Sequence, residues 1–145
     1  MAVLFYEGKY SILDNFSALQ VVYKGILYPT SEHAYQAAKF SHRPDIQGEI
    51  RLATSPHTAK EIAYQYKKEY HQDFRTIKLD IMREILKAKM QQHLQVVEAL
   101  TDSKDELIGE NSPVDYFWGL GENGTVENWM GKLWMELREK ILNTA

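Results

Sequence analysis

The sequence predicts a predominantly helical α+β domain with a small antiparallel sheet, continuous over residues 1–145. Three observations carry this. Apolar residues recur at three- and four-residue steps through several segments that open on capping residues, which is the helical pattern. One pair of β-prone runs flanks Lys24-Gly25, and the stretch 107–125 is too rich in Gly, Asn and Pro for helix.

Leu19 to Tyr28 reads as a hairpin, with Lys24-Gly25 as its turn. Pro29 ends the pairing, and Thr30 or Ser31 is an N-cap for a helix to about Phe40. A short helix follows Pro44 through Ile46 and Ile50. Ser55-Pro56 pairs a capping residue with the residue favoured at the first helical position, so a helix opens there and runs to about Tyr70. From Asp73, the spacing of Phe74, Ile77, Ile81, Met82, Ile85 and Leu86 predicts an amphipathic helix to about Met90. Leu94 to Leu100 adds another. The last helix is predicted from about Val126 to Leu142, with Trp129, Leu133, Leu137 and Ile141 on one stripe.

The composition, 44% hydrophobic and 26% charged, is that of a globular chain rather than a disordered or repetitive one. The absence of cysteine excludes disulfides, thiolate nucleophiles, iron–sulfur clusters and cysteine-bearing zinc sites. The start turns polar too early for a signal peptide, and no apolar run has the length of a membrane span, so the expected compartment is the cytoplasm. A net charge of -3 argues against wrapping duplex phosphates. Charge is uneven, however. Residues 60–89 hold eight Lys or Arg against five acids, whereas 102–127 hold seven acids and only Lys104. That balance suits a small anionic ligand.

Three features stand out. On the helix from 31 to 40, Glu32, Tyr35, Gln36 and Lys39 share an arc of about 100° while Ala34, Ala37 and Ala38 face away. The arc is either a solvated stripe or a surface holding an acid, a phenol, an amide and an amine. On the helix from 73 to 90, Lys78 and Lys89 fall on the apolar arc. Such a lysine either snorkels to water or becomes a neutral amine able to attack an electrophilic carbon. Between Glu110 and Gly124, Tyr116, Phe117 and Trp118 offer a face for a flat base, while Gly119 and Gly121 let backbone amides approach a phosphate or sugar; a tight turn around a core Trp is the alternative. Gly119 to Gly124 satisfies G-x-G-x-x-G, but no strand-helix-strand unit follows, which rejects a dinucleotide fingerprint. The five histidines lack ligand spacing, so no metal is expected.

Together these segments resemble one family. Asn15-Phe16, Tyr28-Pro-Thr-Ser-Glu-His-Ala-Tyr-Gln-Ala-Ala-Lys-Phe40, Lys89-Met-Gln-Gln-His93, Glu110-Asn-Ser-Pro-Val-Asp-Tyr-Phe-Trp-Gly-Leu-Gly121 and Asn128-Trp-Met-Gly-Lys-Leu-Trp-Met-Glu-Leu-Arg138 are similar, in order and spacing, to the YbiA-like or NADAR (NAD- and ADP-ribose-associated) domains. The match covers nearly the whole chain. It departs at Met90, where the family often carries Phe; this alters packing beside Lys89 and leaves the amine.

The resemblance implies an N-glycosidase. Its substrates would carry a ribose C1 to nitrogen bond, in ribosylaminopyrimidine phosphates of the early riboflavin pathway or in ADP-ribose attached to guanine. Carried over by position, Glu32, Lys89 and Asp115 surround the reacting carbon, and Asn15, Phe16, Tyr35, Gln36, Lys39, Trp118, Gly119, Gly121 and Asn128 bind substrate. No cofactor is implied. Modified nucleic acid would be met only as a transient substrate, and no membrane partner is expected.

Cleavage builds positive charge at C1, which a nearby carboxylate stabilises and an acid at the leaving nitrogen assists. Because a ribosylamine can open to an imine, an unprotonated Lys89 can take over the sugar as a Schiff base while Glu32 shuttles protons. In the competing route Glu32 or Asp115 activates water, and Lys89 only binds phosphate or ring oxygen. A binding module that reads ADP-ribose or NAD without cutting it would use the same aromatic platform and glycine amides.

Overall fold

A computed structural model describes residues 2–4, 8–109, 118 and 127–144. Among them are four short strands, β1 (Ala2–Leu4), β2 (Val21–Tyr23), β3 (Ile26–Tyr28) and β4 (Leu107–Gly109). The α-helices are α1 (Ser31–Ala38), α2 (Pro44–Arg51), α3 (Pro56–Gln65), α4 (Phe74–Gln92), α5 (Leu94–Asp102) and α6 (Trp129–Thr144). Two 3-10 segments, Gly8–Leu13 and Lys67–Glu69, complete the described elements. No described helix is long and apolar enough to cross a membrane. The chain divides into two compact units, residues 15–92 and residues 1–14 with 93–145.

The 15–92 unit is built around α1. Strands β2 and β3 form the predicted hairpin, antiparallel with Val21 opposite Tyr28. Its turn residues Lys24 and Gly25 both have positive φ, 50° and 79°, the geometry that matches the twist of a two-residue hairpin. Val22 lies on the outer face of β2, where the Gln92 amide donates to its carbonyl and accepts from its N–H, both at 2.8 Å, so the side chain completes the edge as a further strand would.

Thr30 is the N-cap of α1; its Oγ1 accepts from the His33 N–H at 3.2 Å. His33 itself is buried, with Nε2 3.0 Å from the Ala53 carbonyl and Nδ1 2.8 Å from the Thr30 hydroxyl. A carbonyl can only accept, so Nε2 carries the proton and Nδ1 accepts from Thr30. Burial lowers the pKa of this histidine and keeps it neutral. Ala34 and Ala37 are buried on the side of α1 that meets its neighbours, and α2, α3 and α4 all pack on this one helix.

Two helix ends differ from the sequence expectation in this unit. Ser55 does cap α3, accepting from the Thr58 N–H at 3.1 Å, but the helix stops at Gln65 instead of Tyr70. The 66–70 stretch tightens into the 3-10 turn, which presents no buried side chain to hold another α-turn. Helix α4 extends two residues further than predicted, because Gln92 is anchored on β2.

In the other unit β1 and β4 pair in parallel, Ala2 opposite Leu107. The sequence shows that 107–125 is unsuited to helix but not this pairing, since a three-residue strand offers no period to read. Helix α6 begins at Trp129 rather than Val126, and Asn128, with φ of 48°, turns the chain into it. The motif from Asn128 to Arg138 is largely architecture. Asn128 Nδ2 donates to the Ile108 carbonyl at 3.0 Å, Trp134 Nε1 donates to the Leu13 carbonyl at 3.0 Å, and Arg138 Nη1 donates to Ser103 Oγ and the Glu106 carbonyl, each at 2.8 Å. Gly131 lies where any Cβ would strike the Ile108 carbonyl oxygen and the Asn128 amide. Gly131→Ala is therefore expected to separate α6 from β4 and to destabilise the fold by about 3 kcal/mol, read as a fall in Tm of about 10 °C by thermal unfolding.

Candidate active site

The polar arc of α1 is interior, not a solvated stripe. Glu32 is 8% exposed, Gln36 3%, and Tyr35 is buried with them. Glu32 sits in the first helical turn, where the aligned peptide dipoles favour a carboxylate. Its Oε2 accepts from Gln36 Nε2 at 3.0 Å, an i to i+4 contact along one face. Gln36 also carries an acceptor, Oε1, that is buried and has no hydrogen-bond partner among the described residues. A buried acceptor left unmade costs about 1–3 kcal/mol, a deficit a ligand donor would remove.

Lys89 settles the other sequence question. Its side chain is fully buried, with 0% exposure, so it does not snorkel, whereas Lys78 is only half-buried and Lys87 is exposed. Its Nζ donates to Ser17 Oγ at 3.0 Å. Two residues earlier the Asn15 carbonyl accepts from the Glu32 N–H at 3.1 Å. The single turn 15–17 thus bonds α1 at Glu32 and α4 at Lys89. Asn15 is itself buried, its Nδ2 against Met82 Sδ at 3.4 Å and its Oδ1 another unpartnered acceptor. Phe16 meets the His57 ring edge-on, with centroids 4.7 Å apart.

Lys39, at the C-terminal end of the arc, is caged by rings. Its Nζ lies 4.9 Å from the centroid of Tyr70, 5.3 Å from Tyr35 and 5.8 Å from Phe74. Burial lowers its pKa to about 8; Glu32 opposes the shift, while Lys60 and Lys78 add to it. The unfolded chain holds this proton up to the ordinary lysine range, so between pH 8 and that range folding releases it. Stability from this group therefore rises with pH across the window. The lysine Cε–Hε resonance of Lys39 is expected to titrate with a midpoint near pH 8, and Glu32→Gln should move that midpoint lower, as followed by two-dimensional NMR.

Beside this arc lies a cavity of about 520 Å³, lined by Gln36 and Lys39 of α1, by His57, Lys60, Glu61 and Tyr64 of α3, and by Gln65 and Tyr70. The α3 residues were not singled out in the sequence. Their spacing of i, i+3, i+4 and i+7 places them within about 100° of one another on a helix, opposite the buried Ala59 and Ala63. That polar stripe is the signal that marks them.

Trp118 and Asn128 belong to the other unit. Trp118 is half-buried and its carbonyl accepts from the Met130 N–H at 3.0 Å. Asn128 is buried, with Nδ2 committed to Ile108 and Oδ1 without a partner among the described residues. Asp115, Gly119 and Gly121 lie outside the described residues. Among the described residues no three His, Asp or Glu side chains gather as metal ligands.

This helical architecture is that of a solved protein. The NMR structure of Escherichia coli YbiA matches with a TM-score of 0.87 over 99% of this chain and 86% of that one, at 32% identity. The family model described as the NADAR domain matches residues 4–142, and the chain belongs to the NADAR family. It is 35% identical to an N-glycosidase of Nostoc punctiforme over 147 residues, covering 99% of this chain and 94% of the relative. It is also 36% identical over 127 residues to the riboflavin biosynthesis protein PYRR, chloroplastic, of Zea mays, covering 81% of this chain and 20% of that longer one.

Proposed function

We propose that the protein hydrolyses the bond between ribose C1 and a base or amine nitrogen, on ribosylaminopyrimidine phosphates or ADP-ribosylated guanine, through an imine on Lys89. The reaction class, a hydrolase of N-glycosyl bonds, is that of the family and of its relatives named N-glycosidase. The observation that carries the mechanism is the burial of a carboxylate and an amine on residues tied to one turn, 15–17, Glu32 through its backbone N–H and Lys89 through its Nζ. Full burial takes the amine out of bulk water and a hydrogen bond to Ser17 Oγ holds it in place, the enclosed setting a lysine nucleophile uses.

The ring oxygen of the ribosylamine takes a proton from the carboxyl of Glu32 as the C1–O bond breaks, leaving an iminium between C1 and the substrate nitrogen, which keeps its own hydrogen. The Lys89 lone pair adds to C1, and the surplus proton on its nitrogen passes to Glu32. The substrate nitrogen then takes that proton and leaves with the electrons of its bond to C1, so the sugar is held as a lysine iminium. Water adds to that iminium with Glu32 accepting its proton, and the carbinolamine expels Lys89 as the ribose aldehyde forms. One water is consumed and one N–H is made. Asp115 and Trp118 enter this reading from the family resemblance alone, as a second acid and a face for the base.

The riboflavin biosynthesis names of two relatives support the pyrimidine substrate. The test is turnover of both substrates side by side, with borohydride added during the reaction. A stable ribosyl adduct on Lys89, located by peptide mass spectrometry, is the expected result. Active turnover without an adduct leaves the direct-water route, and tight binding without product makes the protein a reader of ADP-ribose.

A further inference from the structure

We propose that the cavity between α1 and α3 is the subsite for the 5-phosphate of the ribosyl substrate, with Lys39 and Lys60 facing its oxygens and Gln36 Oε1 accepting from a ribose hydroxyl. This deepens the N-glycosidase reading and rests on it.

Three observations converge on the cavity. First, its charged lining is two lysines and one acid, Glu61, and His57 also lines it. Among the described residues neither lysine ammonium forms an ion pair or hydrogen bond with a protein oxygen; Lys39 meets only ring faces and Lys60 is exposed. A dianionic phosphate monoester or a diphosphate brings the oxygens that both lack. Second, the lining includes Gln36, 3% exposed, whose Oε1 has no partner among the described residues. An acceptor does not suit a phosphate oxygen, but it suits a hydroxyl, so the ligand must present a donor close to its anionic group. A phosphorylated ribose does this. Third, the same Gln36 amide holds Glu32 through its other end. A ribose lying across Gln36 would have its 5-phosphate towards Lys39 and Lys60 and C1 towards Glu32, since these are opposite ends of the sugar. Field effects agree with this grouping: the charge of Lys60 acts on Lys39, and a bound phosphate would relieve the repulsion between them.

The test uses the full chain. Binding of ribose, ribose 5-phosphate and ADP-ribose is measured by calorimetry, and cleavage is measured for a ribosylaminopyrimidine with and without its phosphate. Lys60→Gln is the primary variant, because an exposed side chain without a protein partner can be removed without loss of fold. The phosphorylated sugars are expected to bind at least about tenfold more tightly than ribose, and Lys60→Gln to erase most of that difference. In turnover the variant should raise KM for the phosphorylated substrate about tenfold, leave kcat within about twofold, and leave the unphosphorylated substrate unaffected. A preference for ribose 5-phosphate identifies a monoester substrate and a preference for ADP-ribose a diphosphate; either supports the subsite. Equal binding of ribose and its phosphate, or a Lys60→Gln effect that ignores the phosphate, overturns it. If cleavage occurs with no phosphate preference, the subsite falls and the glycosidase reading stands. If phosphorylated ribose binds through Lys60 and no substrate is cut, the subsite stands and the glycosidase reading falls.

Discussion

Lys89→Met is expected to lower turnover at least about 1,000-fold while leaving a cooperatively folded protein. The two halves of that result have separate causes. Methionine is unbranched and of similar length, so it fills the space of a side chain that is wholly enclosed. What it cannot do is form a bond to C1, and removal of a covalent nucleophile is among the largest single-residue losses an enzyme suffers. Steady-state hydrolysis and thermal unfolding on one preparation give both numbers. If instead kcat survives and only KM rises, Lys89 binds the sugar or its phosphate, and water is activated by a carboxylate.

Glu32→Gln should cost at least about 100-fold in kcat/KM, in a protein that folds normally. The amide keeps the volume of the carboxylate and still offers an oxygen to Gln36 Nε2, so the α1 face retains its packing. It loses the capacity to carry a proton between water and the leaving nitrogen. A second readout shows that the charge itself was removed. The carboxylate supports the protonated form of Lys39, so the Lys39 midpoint must fall in the variant. A lowered midpoint with undiminished turnover would move the proton transfer to another group, and unaltered Lys39 titration would mean that the two side chains are electrostatically independent.

Local signals in this chain were legible because each is decided within a few residues. Thr30 and Ser55 cap because a short hydroxyl follows an extended backbone, and Lys24-Gly25 turns because only left-handed φ values close a two-residue loop. Helix α4 was readable from its apolar spacing, and that spacing put Lys89 on the apolar arc without deciding between an enclosed amine and one that reaches water. What could not be read were features settled by distant partners. The α1 arc has the composition of a water-facing stripe, and its burial is decided by elements distant in sequence that pack on α1. The cavity lining on α3 looks like ordinary surface until α1 is set opposite it. Likewise, nothing local to Leu107–Gly109 names Ala2–Leu4 as its neighbour. The family motif around Asn128 drew attention as ligand-binding sequence, yet the hydrogen bonds of Asn128, Trp134 and Arg138 give much of it an architectural reason.

The pairing of Ala2–Leu4 with Leu107–Gly109 also has a temporal meaning. About 100 residues must be synthesised before the first strand meets its mate, and closing so long a loop is entropically slow. Helices α1, α3 and α4, which carry Glu32, Lys39, Lys60 and Lys89, are by contrast contiguous within 15–92. On a translating ribosome those four side chains emerge together and can find one another while the amino terminus is still waiting for its partner.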